Sequence, residues 1–145
     1  KLLFLFGGGK YDAEILPLAE SFLIRVTRYE NAEVVLLSEK KDGDDETILK
    51  RLAPEDCVVL FDERGKMSTS LEFAKLIENK KHDGVKRIVF IVGGAYGVGD
   101  IVRARANHVI AFSPMIFPHQ LARVMALEQT YRALSILAGS KYHHG

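Results

Sequence analysis

The chain has 145 residues, of which 48% are hydrophobic and 27% are charged, as is typical of one globular domain. This composition excludes an intrinsically disordered chain, and the single cysteine, Cys57, excludes an internal disulfide. The formal net charge is +1 at pH 7, and no apolar stretch approaches the roughly 18 residues that a membrane span requires.

The positive charge is concentrated in the second part of the chain. From Lys86 onward, seven Lys and Arg residues stand against two Asp and Glu residues, so this part carries +5 and the first 85 residues carry −4. A basic half suits a polyanionic partner. The alternative is a solvated face whose counterions lie elsewhere in the fold.

The chain opens with an apolar run that ends at three consecutive glycines. Lys1–Phe6 is too short for the hydrophobic region of a signal peptide, so we expect a buried strand and a soluble, cytoplasmic protein. Cys57 lies in a similar apolar run, which indicates a buried side chain rather than a reactive thiol.

The first half of the chain alternates short apolar runs with helical spacing. We expect strands at residues 1–6, 34–37 and 57–61, and helices that begin near residues 15, 46 and 69. Residues 39–46 are charged and should form the most mobile segment. Asp62–Lys66 is predicted to be a turn, and Thr69 with Glu72 matches a capping box at the start of a helix.

The second half continues the same alternation. It predicts strands at residues 87–92 and 108–112, a short helix over 100–106, and a long helix that starts with Pro118 in its first turn and ends near Ala138. The strands are continuously apolar, which indicates burial on both faces. We therefore expect one α/β domain, residues 1–145, with a mainly parallel sheet and helices on both faces.

Three loops follow the carboxyl ends of predicted strands, where open α/β sheets bind their ligands. They cover residues 62–68, 93–99 and 113–120. The second loop contains Gly93-Gly94-x-x-Gly97-x-Gly99, whose spacing matches neither a dinucleotide fingerprint nor a phosphate-binding loop. It indicates either a ligand-binding loop or a tight turn from strand to helix.

The third loop, Ser113–Gln120, combines two prolines with three large apolar side chains. Such a stiff loop can shape a pocket for a flat ring, and the alternative is a buried connection. His119 is a candidate general base or a structural, hydrogen-bonded histidine. Glu128 and Arg132 are spaced to pair on the last helix. His143 and His144 are adjacent and Cys57 has no neighbouring cysteine, so no metal site is expected.

Five ordered segments together resemble one family. They are residues 62–70, Phe90–Gly97, Ser113–Arg123, Glu128–Ala133 and Tyr142-His143. In these segments the chain is similar to the ribosomal large subunit methyltransferase H family, minimal members of the SPOUT, or trefoil-knotted, methyltransferases. The resemblance covers the whole chain and implies a trefoil knot in its carboxyl-terminal region, an exception to the rule that chains do not thread loops.

The resemblance implies an S-adenosylmethionine-dependent enzyme that methylates N3 of a pseudouridine in helix 69 of 23S ribosomal RNA. It further implies that the enzyme acts on assembled ribosomes and is a homodimer whose last helix packs against its twin. Two alternatives stay open: a non-catalytic protein of the same fold that binds RNA or the ribosome, and a SPOUT methyltransferase that acts on transfer RNA.

The family's site residues carry over onto the loops singled out above. The cofactor contacts then fall on Phe61, Gly94, Ser113, Pro114, Met115, Ile116, Phe117 and Pro118. The candidates for the catalytic base are His119 and His143. The candidates for RNA contacts are Arg123, Arg132, Lys141, Tyr142 and His143, the last two on a tail that would reach the partner's site.

Overall fold

Five strands alternate with five helices along the chain. The computed structural model describes all residues from Lys1 to Gly145. In chain order the elements are β1 (Leu2–Phe6), α1 (Leu16–Thr27), β2 (Ala32–Leu36), α2 (Asp45–Leu49), β3 (Cys57–Met67), α3 (Ser70–His82), β4 (Ile88–Val92), α4 (Asp100–Arg105), β5 (His108–Ala111) and α5 (His119–Leu137).

The strands form one sheet in the order β2-β1-β4-β3-β5, and every neighbouring pair is parallel. β1 and β4 lie in the middle, and all five residues of each are buried. Because the helical crossovers cover both faces of a parallel sheet, its central strands are apolar at every position. The predicted α/β class and the mainly parallel sheet are confirmed.

Alternate residues of each strand enter two separate hydrophobic cores. In β1, Leu2, Phe4 and Phe6 face the larger core, while Leu3 and Leu5 face the smaller one. The larger core packs beneath α1, α3 and α5, and the smaller core packs beneath α2 and α4. The result is a three-layer arrangement with helices on both faces, as expected.

Residues 62–65 form a bulge within β3, which corrects the predicted turn over Asp62–Lys66. Phe61 and Lys66 both lie opposite Ile110 of β5, so the chain leaves the ladder after Phe61 and rejoins it at Lys66. Gly65 permits this path, because a Cβ there would lie 2.6 Å from the backbone of Val109. The bulge moves the polar residues 62–64 to the carboxyl edge of the sheet.

Two local expectations are refined. Pro118 is the N-cap of α5, not its first helical residue, so the free amides of the helix begin at His119. The charged segment 39–46, expected to be the most mobile, is anchored at its end, where Asp44 is only 2% exposed. In contrast, the capping box of α3 is confirmed, with Thr69 and Glu72 each bonding the other's backbone amide.

None of the helices combines the length and apolar character that crossing a lipid bilayer requires. Cys57 is a free, buried cysteine, and burial raises the pKa of its thiol. It therefore behaves as a core residue, in agreement with its apolar surroundings in the sequence.

Candidate functional site

A cleft of about 450 Å³ opens between the bulge in β3 and the carboxyl end of β4. Three segments form its walls: residues 61–64 at the β3 bulge, residues 92–98 after β4, and residues 116–119 before α5. These are parts of the three loops selected from the sequence. Sites of this size at the carboxyl edge of a parallel sheet suit a ligand as large as a nucleoside.

The glycine segment, which we define as Gly93–Gly99, lines the cleft with three glycines and with Ala95, Tyr96 and Val98. Gly97 has a φ of +69°, and its amide donates to the carbonyl oxygen of Gly94 over 2.9 Å, which closes a tight turn. A Cβ at Gly94 would lie 2.6 Å from the backbone of Gly8. Only glycine therefore allows the loop after β4 and the loop after β1 to approach so closely.

Phe61 forms the apolar end of the cleft at the last residue of β3 before its bulge. It is buried, and its ring stacks on Phe112 with centroids 4.6 Å apart and planes inclined by 13°. A second near-parallel contact with Phe90, at 6.1 Å between centroids, holds the ring in the core, so Phe61 is a rigid apolar part of the cleft wall.

The loop from Ser113 to Pro118 contributes unequally to the cleft. Ile116, Phe117 and Pro118 line it directly, whereas Ser113 and Met115 line an adjoining hollow of about 50 Å³ and Pro114 lines neither space. Met115 and Ile116 are 73% and 77% exposed, so this loop is apolar yet only lightly covered by the rest of the chain. Exposure of this extent leaves both side chains available to a ligand or to a second chain.

His119 lies at the start of α5 and faces the cleft. Burial lowers the pKa of its imidazole, and the nearby Arg123 guanidinium lowers it further. The imidazole is therefore held in the neutral form that can accept a proton. His143, the other candidate base, does not line the cleft within one chain.

Arg103, which the sequence did not single out for the site, connects two of its walls. Arg103 of α4 donates from Nη1 to Asp62 Oδ2 over 3.0 Å and from Nη2 to the carbonyl oxygen of Val98 over 3.3 Å. The arginine thereby joins the β3 bulge to the glycine segment. Since Asp62 and Arg103 are 41 residues apart in the chain, no local sequence signal could have paired them.

Arg123 was expected to contact RNA phosphates, but the structure buries it completely. Its Nη2 donates to the carbonyl oxygen of Gly7, and its guanidinium lies over the rings of Phe6 and Tyr11, 5.7 and 5.5 Å from their centroids. Burial raises the pKa of Tyr11 to about 12, so the phenol beside the guanidinium stays neutral. Arg123 is thus inaccessible to a polyanion in this structure.

The other candidate RNA contacts lie on the tail after α5, residues 138–145, or on the part of α5 that the tail contacts. Glu128 accepts from Arg132 Nη2 and from the Tyr142 hydroxyl, each over 2.7 Å, as the spacing of Glu128 and Arg132 predicted. Arg132 Nη1 also donates to His143 Nδ1 over 3.0 Å, and burial with the Glu128 bond raises the pKa of Tyr142. Within one chain these bonds hold the tail against α5, while Lys141 stays exposed.

No group of three or more His, Cys, Asp or Glu side chains is arranged to hold a metal ion. The cleft instead combines a rigid aromatic ring, close-packed backbone, and a neutral imidazole. This arrangement can bind a partly flat organic ligand and accept a proton beside it.

Comparison with known proteins agrees with this arrangement. The family model described as "Predicted SPOUT methyltransferase" matches residues 4–143. The chain belongs to the SPOUT methyltransferases, and among them to the ribosomal RNA large subunit methyltransferase H family. The family resemblance drawn from the sequence motifs is confirmed.

Three relatives in that family show how far the similarity extends, and all carry the name ribosomal RNA large subunit methyltransferase H. The protein of Bacteroides thetaiotaomicron is 40% identical over 92% of this chain and 79% of its own length. That of Porphyromonas gingivalis is 36% identical over 94% of both chains. That of Clostridium botulinum is 40% identical over 92% of this chain and 86% of its own.

Proposed function

We propose that this chain transfers a methyl group from S-adenosylmethionine to N3 of a pseudouridine in helix 69 of 23S ribosomal RNA, in assembled cytoplasmic ribosomes. The observation that carries the proposal is the cleft of about 450 Å³, where three separate loops bring Phe61, Gly94 and Ile116–Pro118 together. Membership of the ribosomal RNA large subunit methyltransferase H family supports the choice of reaction and substrate.

The residues of the cleft suit S-adenosylmethionine as a ligand. Phe61, Ile116 and Phe117 give the cleft an apolar lining for a flat base, and the absence of side chains at Gly93 and Gly94 permits a ligand to approach the backbone closely. Ser113, Pro114 and Met115 keep the third loop stiff behind that surface. When bound, the cofactor would supply a methyl group on a positively charged sulfur atom.

The chain's own contribution to catalysis is chiefly positioning. Methyl transfer is an in-line displacement, so a rigid cleft that aligns donor and acceptor lowers the barrier by removing translational and rotational freedom in advance. The imide proton of the target base must also leave. His119 is our candidate for accepting it, because its neutral imidazole faces the cleft.

The RNA side of the site is proposed to need two chains. A homodimer that packs α5 against its twin would place Tyr142 and His143 of one chain beside the cleft of the other. Lys141 and Arg132 would then lie near RNA phosphates, with His143 as the second candidate base. Family membership also leads us to propose the trefoil knot in the carboxyl-terminal region.

Calorimetric titration with S-adenosylmethionine tests the cofactor assignment. Ala95 is exposed and lines the cleft, so Ala95→Trp should fill the space and abolish binding without straining the core. Ile24→Trp is the matched control, since Ile24 is 56% exposed on α1 and lines none of the cleft. Absence of binding by the unaltered protein at millimolar cofactor would contradict the proposal.

Incorporation of a labelled methyl group tests the substrate. Ribosomes that contain the pseudouridine should become labelled in 23S RNA, and ribosomes with uridine at that position should be labelled less or not at all. Labelling of transfer RNA instead would favour a SPOUT methyltransferase that acts on transfer RNA. Cofactor binding without labelling of any RNA would favour a non-catalytic binding protein.

A further inference from the structure

Two neighbouring carboxylates at the start of α2 reach the two ends of the glycine segment. Asp44 Oδ2 accepts a hydrogen bond from the amide of Gly94 over 2.9 Å. Asp45 Oδ1 accepts from the amide of Gly99 over 2.6 Å, and its Oδ2 accepts from the amide of Val102 over 3.2 Å. The entry and the exit of the segment are thus bonded to the same short stretch of chain.

The surroundings of Asp44 are shaped to receive a carboxylate. The residue is 2% exposed, and burial raises the pKa of its carboxyl, so leaving it without a partner would be costly. Gly7 makes the space, because a Cβ at that position would collide with the Asp44 carboxylate. The amide of Gly94 then supplies the bond that offsets the burial.

Asp45 is accommodated in a similar way. A Cβ at Gly99 would lie 3.0 Å from Asp45 Oδ2, so a larger residue there would crowd the carboxylate. Asp45 also accepts from the first turn of α4, where free helix amides favour a negative charge. Asp44 therefore accepts from the backbone where the glycine segment begins, and Asp45 accepts from the backbone where α4 begins.

Between these bonds the segment is fixed by the turn from Gly94 to Gly97 and by the Arg103 bond to the Val98 carbonyl oxygen. Ala95 and Tyr96 are exposed, and only Val98 packs against the smaller core. Neither Asp44 nor Asp45 lines the cleft, whereas Gly94, Tyr96 and Val98 do. The carboxylates therefore act on a ligand through the path of this backbone, and Asp44 acts in addition through its charge, which raises the pKa of His119.

We propose that Asp44 and Asp45 are positioning residues that clamp the glycine segment in the geometry that receives the cofactor. The proposal rests on the proposed function for the identity of that cofactor. It assigns a role to the two acidic residues at the start of α2, neither of which lines the cleft.

Loss of a charge-assisted hydrogen bond within a fold corresponds to a factor of about ten to one hundred in an equilibrium. We expect Asp44→Ala and Asp45→Ala each to weaken S-adenosylmethionine binding by about tenfold to hundredfold. The rate at saturating cofactor should change much less, because His119 stays in place and loss of the Asp44 charge only lowers further the pKa of an imidazole that is already neutral. Asp44→Asn should restore most of the affinity, since its amide oxygen can still accept from Gly94.

Glu46→Ala is the matched control. Glu46 lies in the same segment, but its carboxylate pairs only with the exposed Lys50 side chain and makes no bond to the glycine segment. It should bind S-adenosylmethionine as the unaltered protein does. If any substitution in residues 39–46 disturbed the fold enough to weaken cofactor binding, this variant would also bind more weakly.

The experiment combines calorimetric titration with S-adenosylmethionine and amide hydrogen exchange, measured by NMR on the cofactor-free protein. Asp44→Ala should accelerate exchange at Gly94, and Asp45→Ala should accelerate it at Gly99, each by about tenfold or more. Folded variants that exchange and bind like the unaltered protein would overturn the proposal. Having both variants keeps the test decisive if one of them fails to fold.

The two readouts separate the inference from the function on which it rests. If the unaltered protein does not bind S-adenosylmethionine, the proposed function fails. Exchange at Gly94 and Gly99 still decides whether the carboxylates clamp the segment. If the protein binds but the alanine variants bind equally well, only the clamp is refuted.

Discussion

Arg123 is the largest side chain that this fold buries completely. Its Nε and Nη1 atoms have no hydrogen-bond partner, so most of the compensation for its burial comes from the bond to the Gly7 carbonyl oxygen and from the rings of Phe6 and Tyr11. Burial lowers the pKa of the guanidinium, in line with the cost of removing a charge from water. The side chain connects the loop after β1 to α5.

Shape rather than charge should account for most of the contribution of Arg123 to stability. Arg123→Ala should lower the free energy of unfolding by about 2–4 kcal/mol, because it leaves a cavity and an unpaired carbonyl oxygen. Arg123→Met keeps most of the volume and should cost clearly less. Urea denaturation measures both, with the exposed Arg28→Ala as the control. Equal losses in the two Arg123 variants would show that the charge itself is needed.

The proposed proton transfer to His119 can be tested by measuring the rate of methyl transfer as a function of pH. The base works only when deprotonated, and its pKa lies below the ordinary value of 6.5, so the rate should stay at its plateau below pH 6.5 before falling in more acidic solution. His119→Asn should lower the rate at saturating cofactor by about a hundredfold or more. An unchanged profile in that variant would assign the proton to water or to His143.

At the scale of elements, the first part of β3 is determined by its local sequence, and the second part is determined by contacts with another strand. The first five residues of β3 follow directly from their apolar run, whereas the bulge at 62–65 depends on the way Gly65 meets β5. α3 begins where the capping box lies, because Thr69 and Glu72 satisfy amides of the same helix. Local chemistry therefore determines where this helix starts.

Removal of the α3 cap should have a measurable effect. Thr69→Ala should lower the free energy of unfolding by about 1 kcal/mol, because it leaves the Glu72 amide without its partner. Thr27→Ala is the matched control at the exposed end of α1, where the hydroxyl bonds only within the helix. Thermal or urea denaturation gives both values. A Thr69 variant no less stable than the control would mean that water replaces the cap.

For the whole molecule, the order of the strands places the β3 bulge beside the loop after β4, although α3 separates these strands in the chain. Large apolar side chains are exposed on several parts of the molecule, among them the start of α5 and the loop before it. Leu121 of α5 is 45% exposed, and Met115 and Ile116 before that helix are more exposed still. The proximity of these three side chains in the chain is compatible with the second chain that we propose to pack against α5.

We therefore expect light scattering after gel filtration to give twice the 16.2 kDa of one chain. Leu121→Arg should shift the mass toward that of the monomer, because it places a charge in the proposed interface. Ile24→Arg, on the exposed side of α1, should leave the mass unchanged. A monomeric unaltered protein, or a Leu121 variant that remains dimeric, would count against an interface at this end of α5.

Several features follow from the sequence alone because their causes are local. The strands are recognisable from unbroken apolar runs, α3 from its capping box, and the pairing of Glu128 with Arg132 from their spacing on one helix. The family, too, is recognisable from its ordered segments. The loops that form the cleft are predictable because ligands bind at the carboxyl edge of a parallel sheet.

Only the tertiary structure decided the features that join distant parts of the chain. The burial of Arg123, the Asp62–Arg103 pair and the bond from Gly94 to Asp44 each connect residues on separate elements. In the sequence alone, a charged residue of a loop or helix can be assigned to solvent, to RNA or to a partner within the fold. The packing of α2, α4 and α5 around the sheet determines which of these surroundings each residue meets, because contacts across layers have no periodic signal in the sequence.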